Sequence, residues 1–232
     1  KAPEGNEIKV AKGISFDQPI TIDKKITIDF NGASLTQNLV VNATDVVINN
    51  LHIAYDTEGV NGKTPVTSSG NLTLNDCIIE RVNLDEQAYG LLVNVQNNIL
   101  TATNTTFIAP CGEKNENNQS IFARSPSTIE ATGGLFLTDC EILTNGYGLF
   151  SGHFVSGKVE GTTFKGLEID GEYKPILIPV NSTVMNGMEF DNCYFEMGED
   201  CFVTAGSFSI TNSQFVFTEY TNTLTTIQIY SN

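Results

Sequence analysis

One short frame recurs along the whole chain, and it narrows the possible folds more than any composition figure does. Aligning IDFNGASL, VINNLHI, LTLNDCII, LTATNTTF, LFLTDCEI, GKVEGTTF, MEFDNCYF and FSITNSQF gives a shared pattern. It reads apolar, variable, apolar, polar, then Gly, Asn or Asp, then a small residue, a variable one and a large apolar one. The fifth position is Gly32, Asn50, Asp76, Asn104, Asp139, Gly161, Asn192 and Asn212. Only these three residue types enter the left-handed backbone region at little cost, so the position reads as a bend.

Before the bend, Ile28/Phe30, Val46/Ile48, Leu72/Leu74, Leu100/Ala102, Leu135/Leu137 and Phe208/Ile210 alternate with other residues, the period of a strand with one buried face. After it, Leu35, Ile53, Ile79, Phe107, Ile142, Phe164, Phe195 and Phe215 supply a second inward row. Successive bends lie 18 to 35 residues apart. Fixed strands separated by loops of variable length describe a stack of parallel layers, one above another at about 4.8 Å. The expected fold is all-β: a single-stranded parallel β-helix, or solenoid, of about eight coils, with residues 1–232 as one domain and residues 1–35 as its capping first coil. A β-sandwich with a shared turn preference is the alternative, and the recurrence of one frame argues against it.

This organisation resembles the pectate-lyase-like right-handed β-helices from Ile20 to Ile229, including the opening KKITIDFNGASLT and the asparagines repeated at one bend. The resemblance implies a right-handed helix. That superfamily holds lyases, hydrolases, tailspikes, adhesins and proteins without known activity, so the fold leaves function open.

Composition excludes some classes. Twelve Lys and Arg against 27 Asp and Glu give a net charge of -15, which repels phosphate backbones and anionic membrane surfaces. No nucleic-acid partner is expected. No apolar run is long enough to span a bilayer, and the polar start KAPEGNEIKV has no signal core. Few Lys, abundant Asn and Thr, and no Trp suit a secreted, periplasmic or cell-surface protein. The five cysteines, Cys77, Cys111, Cys140, Cys193 and Cys201, form no CxxC pair. Cys77, Cys140 and Cys193 share the slot behind the bend and read as buried, inert thiols.

Several residues carry possible chemistry. MGEDCFV is similar to the GDDC segment of polygalacturonases, which makes Glu199 and Asp200 counterparts of catalytic aspartates. His153 in SGHF resembles the histidine of that family's GHG motif, but it precedes the acidic pair instead of following it. The family's Asn-x-Asp pair and RIK-type motif are missing. A lyase would need calcium on clustered carboxylates and an Arg or Lys base. Arg81 reads as a solvated surface group and Arg124 as the better base. The groupings Glu168/Asp170/Glu172 and Glu196/Glu199/Asp200 offer oxygen ligands for Ca²⁺ but read more simply as exposed charge on a solvated edge. No other cofactor or metal is implied. Sequons at Asn42, Asn71, Asn104, Asn118 and Asn181 follow from an Asn- and Thr-rich composition.

The long excursions Asp56–Ser69, Val82–Gln87, Pro110–Ser127 and Glu168–Asn181 all begin soon after the second strand of the frame, which places them on one edge. Insertions on one side of a solenoid line its binding face. The expected ligand groove has Tyr89 and Tyr147 as flat surfaces for sugar rings, with Arg124, Lys174 and Asp200 as polar contacts. Two functions remain open from sequence: a non-catalytic glycan-binding or adhesive protein, and a polysaccharide hydrolase or lyase working through carboxylates in that groove.

Overall fold

The computed structural model describes residues 6–56, 64–82, 92–95, 97–110, 133–151, 156–198, 202–218 and 227–230. Among them every regular element is a strand, and all strand pairings but one are parallel. The architecture is all-β with long parallel sheets, compatible with a β-solenoid.

Each of the eight anticipated bend residues has positive φ, from 48° at Asn104 to 77° at Gly32. The registers set them above one another. Asn49 faces Asn75, Asn75 faces Thr103, Thr103 faces Thr138, Thr138 faces Glu160, Glu160 faces Asp191 and Asp191 faces Thr211, so the residue that follows each of these is stacked in one column. Side-chain amides bind this corner together along the stack. Asn104 Nδ2 donates to Asp76 Oδ1 at 2.6 Å and Asn50 Nδ2 to Asp29 Oδ1 at 2.9 Å. A Cβ at Gly161, which holds the bend at φ 60°, would displace the Asp139 carboxylate of the layer before.

The row after the bend forms an unbroken interior column: Leu35, Ile53, Ile79, Phe107, Ile142, Phe164, Phe195 and Phe215 pair in sequence. All but Phe215 are fully buried. Phe195 stacks between Phe164 and Phe215 with ring centroids at 5.0 and 5.3 Å. A third row of parallel strands closes the core. Its lower part is Ile20–Ile22, Leu39–Val41, Val66–Ser68 and Val93–Val95. Its upper part runs from Tyr147–Ser151 through the start of Ile178–Asp191 and Phe202–Thr211 to Ile227–Tyr230.

The first bend departs from the common frame. Asp29 faces Asn49 but Ala33 faces Leu51, so two extra residues bulge out and Ile28, not Phe30, lies opposite Ile48. Phe30 is instead turned inward against Phe16, edge to face at 6.0 Å.

Two further left-handed bends escaped the sequence reading. Asp45 and Asn97 have positive φ where the third row turns into the first. Lys25 Nζ and Asn71 Nδ2 both donate to the Asp45 carboxylate, at 3.2 and 3.1 Å, and Asn71 Oδ1 accepts the Ile99 N–H.

The slot behind the main bend holds Cys77, Thr105, Cys140, Thr162, Cys193 and Ser213, alternating thiol and hydroxyl up the stack. The Cys77, Cys140 and Cys193 N–H groups donate to Thr105 Oγ1, Thr162 Oγ1 and Ser213 Oγ of the next layer, at 3.4, 3.4 and 3.0 Å. The backbones of Leu51, Thr105 and Thr162 in turn hydrogen-bond to the sulfurs of Cys77, Cys140 and Cys193. Three free cysteines are thus buried as expected, and burial pushes the Cys77 and Cys140 thiols up to about 11. Cys111 and Cys201 lie outside the described residues. No helix among the described residues is long and apolar enough to cross a membrane.

Candidate functional site

The excursions leave the stack at one level of the second strand row. Tyr55 faces Arg81, and Ile108 faces Glu80, which sets Ala109 beside Arg81, so the roots of Asp56–Ser69, Val82–Gln87 and Pro110–Ser127 form one edge. Two of the excursions are more regular than expected. Asp56–Ser69 ends in the strand Val66–Ser68, and Glu168–Asn181 contains the only antiparallel pair among the described residues.

That pair is a hairpin, Leu167–Ile169 with Glu172–Lys174, closed by Asp170 and Gly171, both at positive φ. A two-residue Asp-Gly turn with left-handed backbone at both positions matches the twist of the strands it joins. The hairpin packs on Glu196. Register puts Glu196 on the outer side of its strand, since its neighbour Phe195 fills the interior column. Even so Glu196 is only 5% exposed, because the Gly166 N–H at 3.3 Å and the Tyr173 hydroxyl both donate to its carboxylate. The reading of Glu196 as solvated edge charge is therefore corrected: the hairpin folds over it. Desolvation first, then the bond to Glu196, raises the Tyr173 phenol well above its ordinary range.

The outcome for Tyr173 is an aromatic residue 52% exposed yet fixed at its hydroxyl. Sequence reading passed over it, although the Asp-Gly turn three residues before was a usable hairpin signal. Lys174, a predicted contact, lies on the same hairpin and pairs with Glu172 at 2.9 Å. That lysine holds the Glu172 carboxyl below its usual value. Tyr147, the other predicted contact described, opens the strand Tyr147–Ser151, is half-buried, and faces Ile178, four residues past Lys174. Tyr89, Arg124, His153, Glu199 and Asp200 lie outside the described residues.

Arg81 also needs correction. It is not a solvated surface group but 2% exposed, the inward residue at the end of Ile78–Arg81, in line with Tyr55 and Ala109. Strand alternation dictates this, since Ile79 two places earlier is interior. Among the described residues no group of three or more His, Cys, Asp or Glu is arranged to hold a metal ion.

No family model, curated protein or solved structure matches the chain.

Proposed function

We propose that the chain is a right-handed parallel β-helix of about eight coils, pectate-lyase-like in architecture and forming one domain. In this reading it belongs to a secreted or cell-surface protein and binds carbohydrate without turning it over. The observation that carries the ligand class is the clamped ring of Tyr173. A sugar offers an apolar C–H face and a polar rim, and an aromatic ring with adjacent charged groups matches both. Tyr173 has its ring open to solvent, its hydroxyl bound to Glu196, and the Lys174–Glu172 pair on the same strand. A ring already held in one orientation loses little conformational freedom on binding, which favours affinity.

The test is a glycan array followed by titration of the best binder. Tyr173→Ala is expected to weaken binding by at least about tenfold, equivalent to ~1.4 kcal/mol. Tyr173→Phe keeps the ring but loses the clamp and should fall between. Binding that neither Tyr173→Ala nor Tyr147→Ala alters would discard the reading, as would release of reducing ends from the bound glycan.

A further inference from the structure

The hairpin that carries Tyr173 has two faces, and they hold different groups. Its register pairs Leu167 with Lys174, Glu168 with Tyr173 and Ile169 with Glu172. Side chains directly opposite across an antiparallel pair lie on one face with Cβ atoms about 5 Å apart, and the next pair along lies on the other face. Glu168 and Tyr173 therefore share a face, while the Lys174–Glu172 ion pair stands on the opposite one.

Glu168 is exposed, and among the described residues its carboxylate has no hydrogen-bond or ion-pair partner. Its acidic neighbours differ in this respect. Glu172 is paired with Lys174 and Glu141 with Lys165, and Glu196 accepts the Tyr173 hydroxyl and the Gly166 N–H. The hairpin thus sets one uncommitted carboxylate beside one open aromatic ring.

The ring is suited to a cation. Its face attracts positive charge through the ring quadrupole, and a phenol that donates its proton to a carboxylate gains electron density, which strengthens that attraction. Tyr173 donates to Glu196, which is almost fully buried, so water does not compete for the bond. An ammonium over this ring would meet the π face on one side and the Glu168 carboxylate on another. An anion would meet no such welcome. The only basic residue of the hairpin is Lys174, on the other face, and Lys165, two residues before it, is held by Glu141 at 2.7 Å. The net charge of -15 also gathers cations around the chain and keeps anions away.

Resting on the carbohydrate reading of this site, we infer that its ligand is an amino sugar, a hexosamine whose nitrogen is a free ammonium, and that Glu168 selects it. The apolar C–H face of the sugar lies on the Tyr173 ring, and the ammonium donates to the Glu168 carboxylate. An N-acetylated hexosamine is neutral and lacks that charged bond. A uronate brings its own carboxylate against Glu168.

Isothermal titration of the full chain with tetrasaccharides of glucosamine, of N-acetylglucosamine and of galacturonate tests this, at a mildly acid pH that keeps the amine protonated. The parent should bind the glucosamine form more tightly than the N-acetylated one by at least about fivefold, and galacturonate most weakly. Glu168→Gln, a conservative change at an exposed position, should bring the first two affinities within about twofold of each other, and Glu168→Lys should reverse their order. Asp17→Asn removes the same charge from an exposed position elsewhere and should keep the parent ratio, which separates a local contact from the general field of the chain. Suppose Tyr173→Ala weakens binding but the glucosamine and N-acetylated forms bind the parent alike, or the preference survives Glu168→Gln, or Asp17→Asn reduces it equally. Amino-sugar selection is then overturned while the carbohydrate site stands. Absence of any binding that depends on Tyr173 would overturn both.

Discussion

A bend leaves the next backbone N–H pointing into the interior, where a missing partner is costly, and the slot behind each bend answers that need. Thr162 illustrates it: its Oγ1 accepts the Cys140 N–H, and its hydroxyl donates to the Glu160 carbonyl at 3.1 Å. The cysteines serve the same purpose with sulfur. The Cys140 thiol donates to the Ala102 and Thr138 carbonyls at 3.4 Å each, and the backbone of Thr105 bonds to its sulfur. Thr162→Ala removes an acceptor from a fully buried site and is expected to cost about 1–3 kcal/mol. Thr162→Ser and Thr162→Cys retain an acceptor and should cost much less. Urea midpoints of the three variants decide it, and an alanine variant as stable as the serine one would mean that the relay carries nothing.

At the scale of the strand and its corner, the first bend concentrates the strongest carboxylate interactions. Asp29 accepts from Lys9, from Asn50 and from the Asn31 N–H, in that order of effect, which holds its carboxyl down to about 2. Because this value lies below the ~3.9 of an unfolded aspartate, the folded state binds fewer protons between the two. The stabilisation is therefore complete above about pH 4 and is lost as pH falls towards 2. Asp191 is lowered in the same direction by Thr211 and Asn212. Asp29→Asn should lower the melting temperature at pH 5 and flatten its decline between pH 4 and 2; parallel curves for parent and variant would show that Asp29 contributes no such linkage. The same corner shows what was legible in advance. The bend column was readable because left-handed backbone restricts a position to Gly, Asn or Asp, and all eight positions obey. The bulge at Asn31 was not, because a frame aligned without gaps hides two extra residues. Burial of Glu196 and of Arg81 escaped for different reasons. Glu196 is outward by alternation and is covered only by a hairpin from a distant part of the sequence, whereas Arg81 obeys alternation and was misread from its charge alone. The aromatic site at Tyr173 follows from that same tertiary cover, which no local pattern encodes.

Across the whole molecule, hydrogen bonding passes from layer to layer from Glu7–Lys9 to Ile227–Tyr230, with each layer contacting the ones above and below it. Stability in such an array is close to a sum of nearest-neighbour terms, so interior layers are held from two sides and terminal layers from one. Position in the stack, more than residue type, should then set the effect of a core truncation. Phe164 is fully buried and stacks on Phe195, while Phe215, in the same column, is only partly buried. Phe164→Ala is expected to cost about 3–5 kcal/mol, and Phe215→Ala distinctly less. Native-state hydrogen exchange reads the same gradient without mutation. Amides of Leu100–Thr103, Gly134–Thr138 and Ser156–Glu160 should exchange only through the largest openings. Those of Glu7–Lys9 and Gln214–Phe217, each paired on one side only among the described residues, should exchange first. Uniform protection from one end to the other would contradict a layered energy and point to a structure that opens all at once.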